Sequence, residues 1–87
     1  MAAETIEVLH PEGLHARPAA EFVKLANHFR STVALRLNGR QVNGKSIMSV
    51  MSLGVSSGAR VEVDVQGEDA DEALSQLIRF LGQKEGA

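Results

Sequence analysis

A histidine and an arginine stand two residues apart where a helix is expected to begin. His15 and Arg17 belong to the octapeptide Gly-Leu-His-Ala-Arg-Pro-Ala-Ala at residues 13–20. An imidazole nitrogen is a nucleophile near neutral pH, and a guanidinium group is a permanent cation whose donors match phosphate oxygens. The first N–H groups of a helix lack intrahelical partners and favour anions. The segment therefore predicts a histidine that accepts a phosphoryl group, with a simple helix-capping histidine as the alternative.

Hydrophobic spacing predicts the elements that would position this histidine. Alternating apolar residues predict four strands, at 5–9, 32–37, 40–42 and 61–65. Helical spacing predicts three helices, at 16–29, 47–53 and 70–82. Pro18 is compatible with the first helix, because an N–H in the first turn has no partner to lose. Asn38-Gly39 predicts a two-residue hairpin turn between the second and third strands.

The order β-α-β-β-α-β-α restricts the topology. A right-handed crossover through the first helix separates the first and second strands, and the fourth strand can fill the gap between them. The expected fold is α+β, an open-faced β-sandwich with a four-stranded antiparallel sheet in the order 1-4-2-3. Three helices cover one face of this sheet, and the polar alternation of the strands fits an opposite face in water.

Composition indicates an ordinary globular protein and excludes several classes. The 87 residues suit one domain, 1–87, with 44% hydrophobic and 23% charged residues. The absence of cysteine excludes disulfides and thiolate metal sites. No apolar run reaches the roughly 18 residues of a membrane helix, and the N-terminus lacks a signal-peptide pattern. We therefore expect a soluble, cytoplasmic protein with no membrane insertion.

Nucleic-acid binding and metal binding are not expected. The net charge is −2, so phosphate neutralisation by a basic surface is not indicated. Phe22, Phe29 and Phe80 all fall in predicted helices, so no strand presents an aromatic ring to a base. His10 and His28 form no helical pair with each other or with His15, and we predict no metal site and no function for either.

Ser46 precedes the second predicted helix. Serine is a favoured N-cap residue, and that role is worth about 1 kcal/mol. Ser46 is therefore expected to cap this helix.

Three apolar residues of the second helix, Ile47, Met48 and Met51, are core candidates by spacing. A helix this short cannot turn all of them inward together with Val50 and Leu53. Some of these side chains are therefore expected to be exposed.

The octapeptide, followed about thirty residues later by Asn-Gly-Lys-Ser-Ile-Met at 43–48, resembles HPr. HPr is the histidine phosphocarrier of the bacterial phosphoenolpyruvate-dependent sugar phosphotransferase system (PTS). The resemblance extends over essentially the whole chain in length and element order. It implies that His15 accepts phosphate on Nδ1 from phospho-enzyme I and passes it to sugar-specific IIA domains, and that Arg17 assists the transfer. The N–H groups of Ala16 and Arg17 are expected to bind the phosphoryl oxygens.

The resemblance also implies a partner-binding patch and a regulatory site. Ile47, Met48 and Met51 would form the patch beside His15, bordered by Ala20 and Lys24 on the first helix. Residues 44–48 are similar to relatives in which an HPr kinase/phosphorylase modifies the serine at the position of Ser46. The resemblance thus implies a regulatory role for Ser46 besides its capping role. A phosphate there would be tolerated at a helix N-terminus, yet it would add a charge of about −2 to the neighbouring surface. The expected protein is a monomeric carrier rather than an enzyme, and it needs no cofactor.

Two residues depart from the family pattern, and two rival functions remain open. Glu12 stands where relatives often carry a neutral polar residue, and Asn27 stands where some carry lysine. One rival is a carrier of the nitrogen-regulatory PTS branch, which would differ in its partners. The other is a regulatory interaction module that acts through phospho-Ser46. Relatives of that kind replace the histidine, whereas this chain retains His15.

Overall fold

Residues 2–83 are described by the structure, a computed structural model. Their elements follow the predicted order: β1 (Ala2–Glu7), α1 (Ala16–Ala26), β2 (Thr32–Leu37), β3 (Arg40–Asn43), α2 (Ile47–Leu53), β4 (Arg60–Gln66) and α3 (Ala70–Leu81). Over this range no helix is both long enough and apolar enough to cross a membrane.

The four strands form one antiparallel sheet in the order β1-β4-β2-β3. The last strand lies between the first two, as predicted, with Val63 opposite Glu4 on one side and Leu35 on the other. Val61, Val63 and Val65 are fully buried, because their face of β4 lies beneath the helices. The expected fold class is confirmed: an open-faced sandwich of four strands and three helices.

The β2–β3 turn is determined by two residues. Leu37 pairs with Arg40, so only Asn38 and Gly39 form the loop. Their φ angles are 52° and 84°, and a two-residue turn with positive φ at both positions fits the right-handed twist of a hairpin. Asparagine and glycine tolerate this conformation best, which is why the dipeptide alone predicts the turn.

The bounds of two predicted elements, α1 and β1, differ from the observed ones by more than one residue. The first helix ends at Ala26 instead of residue 29, because the N–H groups of His28 and Phe29 bond to carbonyls three residues back. This tighter turn keeps Phe29 half-buried, so the apolar spacing continues past the helix. β1 starts at Ala2 and ends at Glu7, since the Leu9 N–H leaves the ladder and donates to Leu81 O.

The core lies between the sheet and the helices and includes Leu14, Phe22, Leu35, Val50, Leu77 and Leu81. His10 is buried at its edge. Its Nε2 bonds to Phe80 O at 2.7 Å, and the two rings lie 4.6 Å apart. This contact gives His10 a packing role that ties the segment before α1 to the end of α3.

Asp69 fastens the start of α3 to the chain that follows α1. Its carboxylate accepts hydrogen bonds from the Ser31 hydroxyl at 2.5 Å and from the Arg30 and Ser31 N–H groups at 2.9 and 3.0 Å. These donors, the Ser31 hydroxyl first and the Arg30 N–H second, hold the pKa of Asp69 below its usual value. The carboxylate form is therefore favoured by folding.

We expect Asp69→Asn to lower the urea midpoint of unfolding at pH 7. A lowered native pKa stabilises the fold above the unfolded pKa of about 3.9, and this contribution is lost as the pH falls through the native value. The difference between variant and parent should therefore narrow from pH 5 to pH 2. Asp71→Asn, an exposed change in the same helical turn, is the control. If the urea midpoint of Asp69→Asn were lower than that of the parent by the same amount at every pH, the Asp69 charge would not be the stabilising group.

Candidate functional site

The backbone before His15 packs against the segment that follows α2. The Leu14 N–H donates to Val55 O at 3.0 Å, and the Leu14 side chain is fully buried. Gly13 has φ +65°, and a Cβ there would overlap Val55 O and approach Ser56 Cα to 2.9 Å. Only glycine combines this φ with so close an approach. These contacts fix the direction in which the chain enters α1.

His15 is the N-cap residue of α1 but does not act as a side-chain cap. Its backbone is extended, its side chain makes no cap hydrogen bond, and the residue is exposed. The capping alternative therefore does not account for the histidine. Because Pro18 has no N–H, the free donors of this helix start are those of Ala16 and Arg17. The imidazole and these donors lie at the same exposed helix end.

Ala16 carries backbone strain directly after His15. Its φ of 47° lies in the left-handed region, where a residue with a Cβ costs about 1–2 kcal/mol. Buried Leu14 before it and the helix after it hold this conformation. No sequence signal marks the strain, since alanine is not a residue expected at positive φ.

The charged residues of α1 and of the turn before it are not paired with one another. Arg17 and Lys24 are exposed, as is Glu12. The ion pairs found within residues 2–83 are Arg30–Glu68 and Arg36–Glu62, which involve none of the three. The same described range contains no cluster of metal-binding side chains. Arg17 is thus free to meet an incoming anion.

Hydrogen bonds at both ends show that α1 and α2 run side by side in opposite directions. The Leu14–Val55 bond joins the start of α1 to the segment after α2. At the other end, Asn27 Nδ2 donates to Val23 O and Lys45 O at 2.9 and 3.2 Å. The C-terminal end of α2 therefore lies near His15, and its N-terminal end lies near the end of α1.

The Lys45 ammonium group is hydrogen-bonded at the same end of the helix pair, where α1 ends and α2 begins. Its Nζ donates to Phe29 O at 2.7 Å, where the carbonyls after α1 favour a cation. The Asn27 amide bridges the same two segments, the end of α1 and the residue before Ser46. Sequence reasoning missed this pair of contacts, because they join residues 18 and 16 positions apart.

The apolar side chains of α2 divide between the core and the surface. Val50 is fully buried and Leu53 is 5% exposed, whereas Met48 is 77% exposed and Ile47 and Met51 are each 41% exposed. The core interpretation of these three exposed residues is wrong. We call them the apolar patch. On α1, Ala20 is half-buried and Lys24 is exposed.

Ser46 is the N-cap of α2, as predicted. Its Oγ accepts a hydrogen bond from the Ser49 N–H at 3.3 Å. Gly54 ends the helix with φ +71°, the left-handed C-cap for which glycine is favoured. Because α1 and α2 are antiparallel, Ser46 lies at the opposite end of the helix pair from His15.

Both the sequence and the fold are similar to those of known proteins. A family model described as "PTS HPr component phosphorylation site" matches residues 2–83. The chain belongs to the HPr family. It is a family of phosphocarrier proteins. The HPr-like protein Crh of Bacillus subtilis is 48% identical over 84 residues, covering 97% of this chain and 99% of the relative.

Two solved HPr-family structures are similar to the whole fold. HPr from Bacillus anthracis has a TM-score of 0.90 at 39% identity, covering 92% of this chain and 95% of that one. Crystalline Crh from Bacillus subtilis has a TM-score of 0.76 at 49% identity, covering 93% of each chain. The resemblance inferred from residues 13–20 and 43–48 is therefore confirmed at the level of family and fold.

The Crh structure contradicts the expectation of a monomer. It is described as a dimer formed with a swapping domain. An exchanged segment makes in the partner the same contacts that it makes in its own chain, so no additional apolar surface is needed. Composition and hydrophobic spacing consequently contain no signal for such a dimer, which is why the prediction was wrong.

Proposed function

We propose that this protein carries phosphoryl groups in the sugar branch of the PTS, accepting them on His15 from phospho-enzyme I and donating them to IIA domains. The observation that carries the proposal is the exposed, unbonded imidazole of His15 at the start of α1, with Arg17 two residues on. Membership of a phosphocarrier family supports it. The proposed location is the cytoplasm.

The geometry suits a reversible transfer. In the proposed step, His15 Nδ1 attacks the phosphorus atom, a new N–P bond forms, and the bond from phosphorus to the donor breaks. The Arg17 guanidinium and the N–H groups of Ala16 and Arg17 would hold the phosphoryl oxygens. The helix end itself contributes only about 0.3–1 kcal/mol at an exposed site, so it adds little to the binding of a group that must be passed on.

The direct test is incubation with phosphoenolpyruvate and enzyme I of the same organism, followed by intact-mass spectrometry. We expect a gain of one phosphoryl group, and loss of that group on addition of a sugar-specific IIA domain. The oligomeric state should be measured in parallel by light scattering, because a relative forms a swapped dimer. Transfer only to nitrogen-branch partners would favour the first rival, and no gain in mass would refute the proposal.

Docking by the apolar patch predicts a loss of affinity without a loss of fold. Met48→Asp should raise the KM of enzyme I for this protein about tenfold or more, because a charge replaces an apolar contact on a docking surface. The melting temperature should change little, since Met48 is 77% exposed. Ser75→Asp, an exposed change on α3, is the matched control. A large fall in melting temperature for Met48→Asp would assign the side chain to the core.

A second candidate function is regulation through phosphorylation of Ser46. It is favoured by the position of Ser46 at the N-cap of α2, beside the apolar patch. It is also supported by similarity to Crh, which another solved structure describes as "Catabolite Repression HPr". In this proposal an HPr kinase/phosphorylase is a further partner, and the added charge changes which proteins dock.

Ser46→Asp tests this second function. Stability should be kept, because a carboxylate is favourable at a helix N-terminus. Phosphorylation of His15 by enzyme I should slow severalfold at low salt and recover at high salt, since the exposed cations Arg17 and Lys24 indicate acidic partners. Ser46→Ala, which removes the cap without adding charge, should lose about 1 kcal/mol of stability and keep its transfer rate. Unchanged kinetics in Ser46→Asp would make Ser46 a helix cap only.

A further inference from the structure

Glu12 places a negative charge on the turn that leads into His15. The turn is closed by a hydrogen bond from the Gly13 N–H to His10 O at 2.9 Å, and Glu12 is exposed on it. No hydrogen bond or ion pair found among residues 2–83 involves its carboxylate. The charge is therefore not neutralised by a neighbouring cation.

The backbone position of Glu12 relative to His15 is fixed on both sides. Before Glu12, buried His10 is bonded to Phe80 O, and after it Leu14 is bonded to Val55 O. Three residue steps separate Glu12 from His15, so their Cα atoms lie within about 10 Å, the reach of an extended chain. The left-handed conformation of Gly13 prevents full extension and shortens that distance.

A phosphoryl group on His15 would thus be flanked by two opposite charges. Arg17 follows it and attracts the phosphate, whereas Glu12 precedes it and repels it. The free imidazole bears no negative charge, so the repulsion acts on the phosphorylated form alone.

We propose that Glu12 is a tuning residue that lowers the affinity of His15 for the phosphoryl group and so favours its onward transfer. This inference rests on the proposed function. With the carboxylate and a phosphoryl group of charge about −2 as far apart as the two Cα atoms, roughly 9 Å, Coulomb repulsion in water changes the phosphorylation equilibrium about threefold at 10 mM salt. At 0.5 M salt the Debye length falls to roughly half this separation, and the effect should be less than about 1.5-fold.

A competition between two carriers tests the inference directly. Isotope-labelled parent protein and unlabelled Glu12→Gln are mixed in equal amounts with catalytic enzyme I and a limiting amount of phosphoenolpyruvate. Enzyme I moves the phosphoryl group between them until equilibrium, and intact-mass spectrometry measures the phosphorylated fraction of each. We expect about threefold more phosphate on Glu12→Gln at 10 mM salt, and a nearly even distribution at 0.5 M.

Glu68→Gln is the matched control, because it removes the same charge from an exposed residue near the far end of α1, beside Arg30. It should share the phosphate evenly with the parent. An even distribution for Glu12→Gln at low salt would overturn the inference, as would a bias that salt does not reduce. If neither protein gains phosphate, the proposed function itself fails, so the two failures are distinguishable.

Discussion

His15→Ala is expected to abolish phosphoryl transfer to this protein while leaving its fold intact. The substitution removes the nucleophilic nitrogen, so incubation with phosphoenolpyruvate and enzyme I should give no gain in mass. In the parent protein the modification should be acid-labile and alkali-stable, as a phosphoramidate is. Stability should change by less than about 0.5 kcal/mol, because His15 is exposed and makes no cap hydrogen bond.

Arg17 variants separate phosphate binding from nucleophilicity. Arg17→Ala should keep the site of modification but slow transfer about 10- to 100-fold, because a charge-assisted contact worth about 1.5–3 kcal/mol is lost. Arg17→Lys should recover only part of the rate, since a point charge replaces a planar fork of donors.

An acid-stable modification that persists in His15→Ala would refute the assignment of His15 as the acceptor.

Gly13→Ala is expected to cost about 3 kcal/mol or more of unfolding free energy. A Cβ at φ +65° is strained by about 1–2 kcal/mol, and here it would also overlap Val55 O. The backbone at residue 13 must shift away from Val55, and His15 phosphorylation should slow because the start of α1 moves with it. Urea denaturation and the phosphorylation rate measure the two effects.

Gly39→Ala is the matched control for this change. Gly39 has φ +84°, but no atom lies within 4 Å of the position of its added Cβ. It therefore isolates the conformational cost, and its unfolding free energy should fall by only about 1–2 kcal/mol. If Gly13→Ala is no more destabilised than Gly39→Ala, the contact with the segment after α2 does not hold the loop in place.

Several features that the sequence predicted correctly have local physical causes. The turn at Asn38-Gly39 follows from two residues that accept positive φ, and the limits of α2 follow from Ser46 and Gly54. The strand order followed from the handedness of one crossover. Family and fold were likewise evident from residues 13–20 and 43–48, although the roles of the site residues stay predictions.

Tertiary structure alone decided which apolar residues are exposed and how the site is held. Helical spacing could not assign Met48 to the surface and Val50 to the core, because that depends on where α1 and β3 cover α2. The Gly13 backbone packs against Val55 O, 42 residues away in sequence. The Asn27 amide, just after α1, donates a hydrogen bond to Lys45 O, just before α2. A local sequence pattern specifies the conformation of its own segment. Contacts between distant segments depend on how the whole chain packs, and only the folded protein determines them.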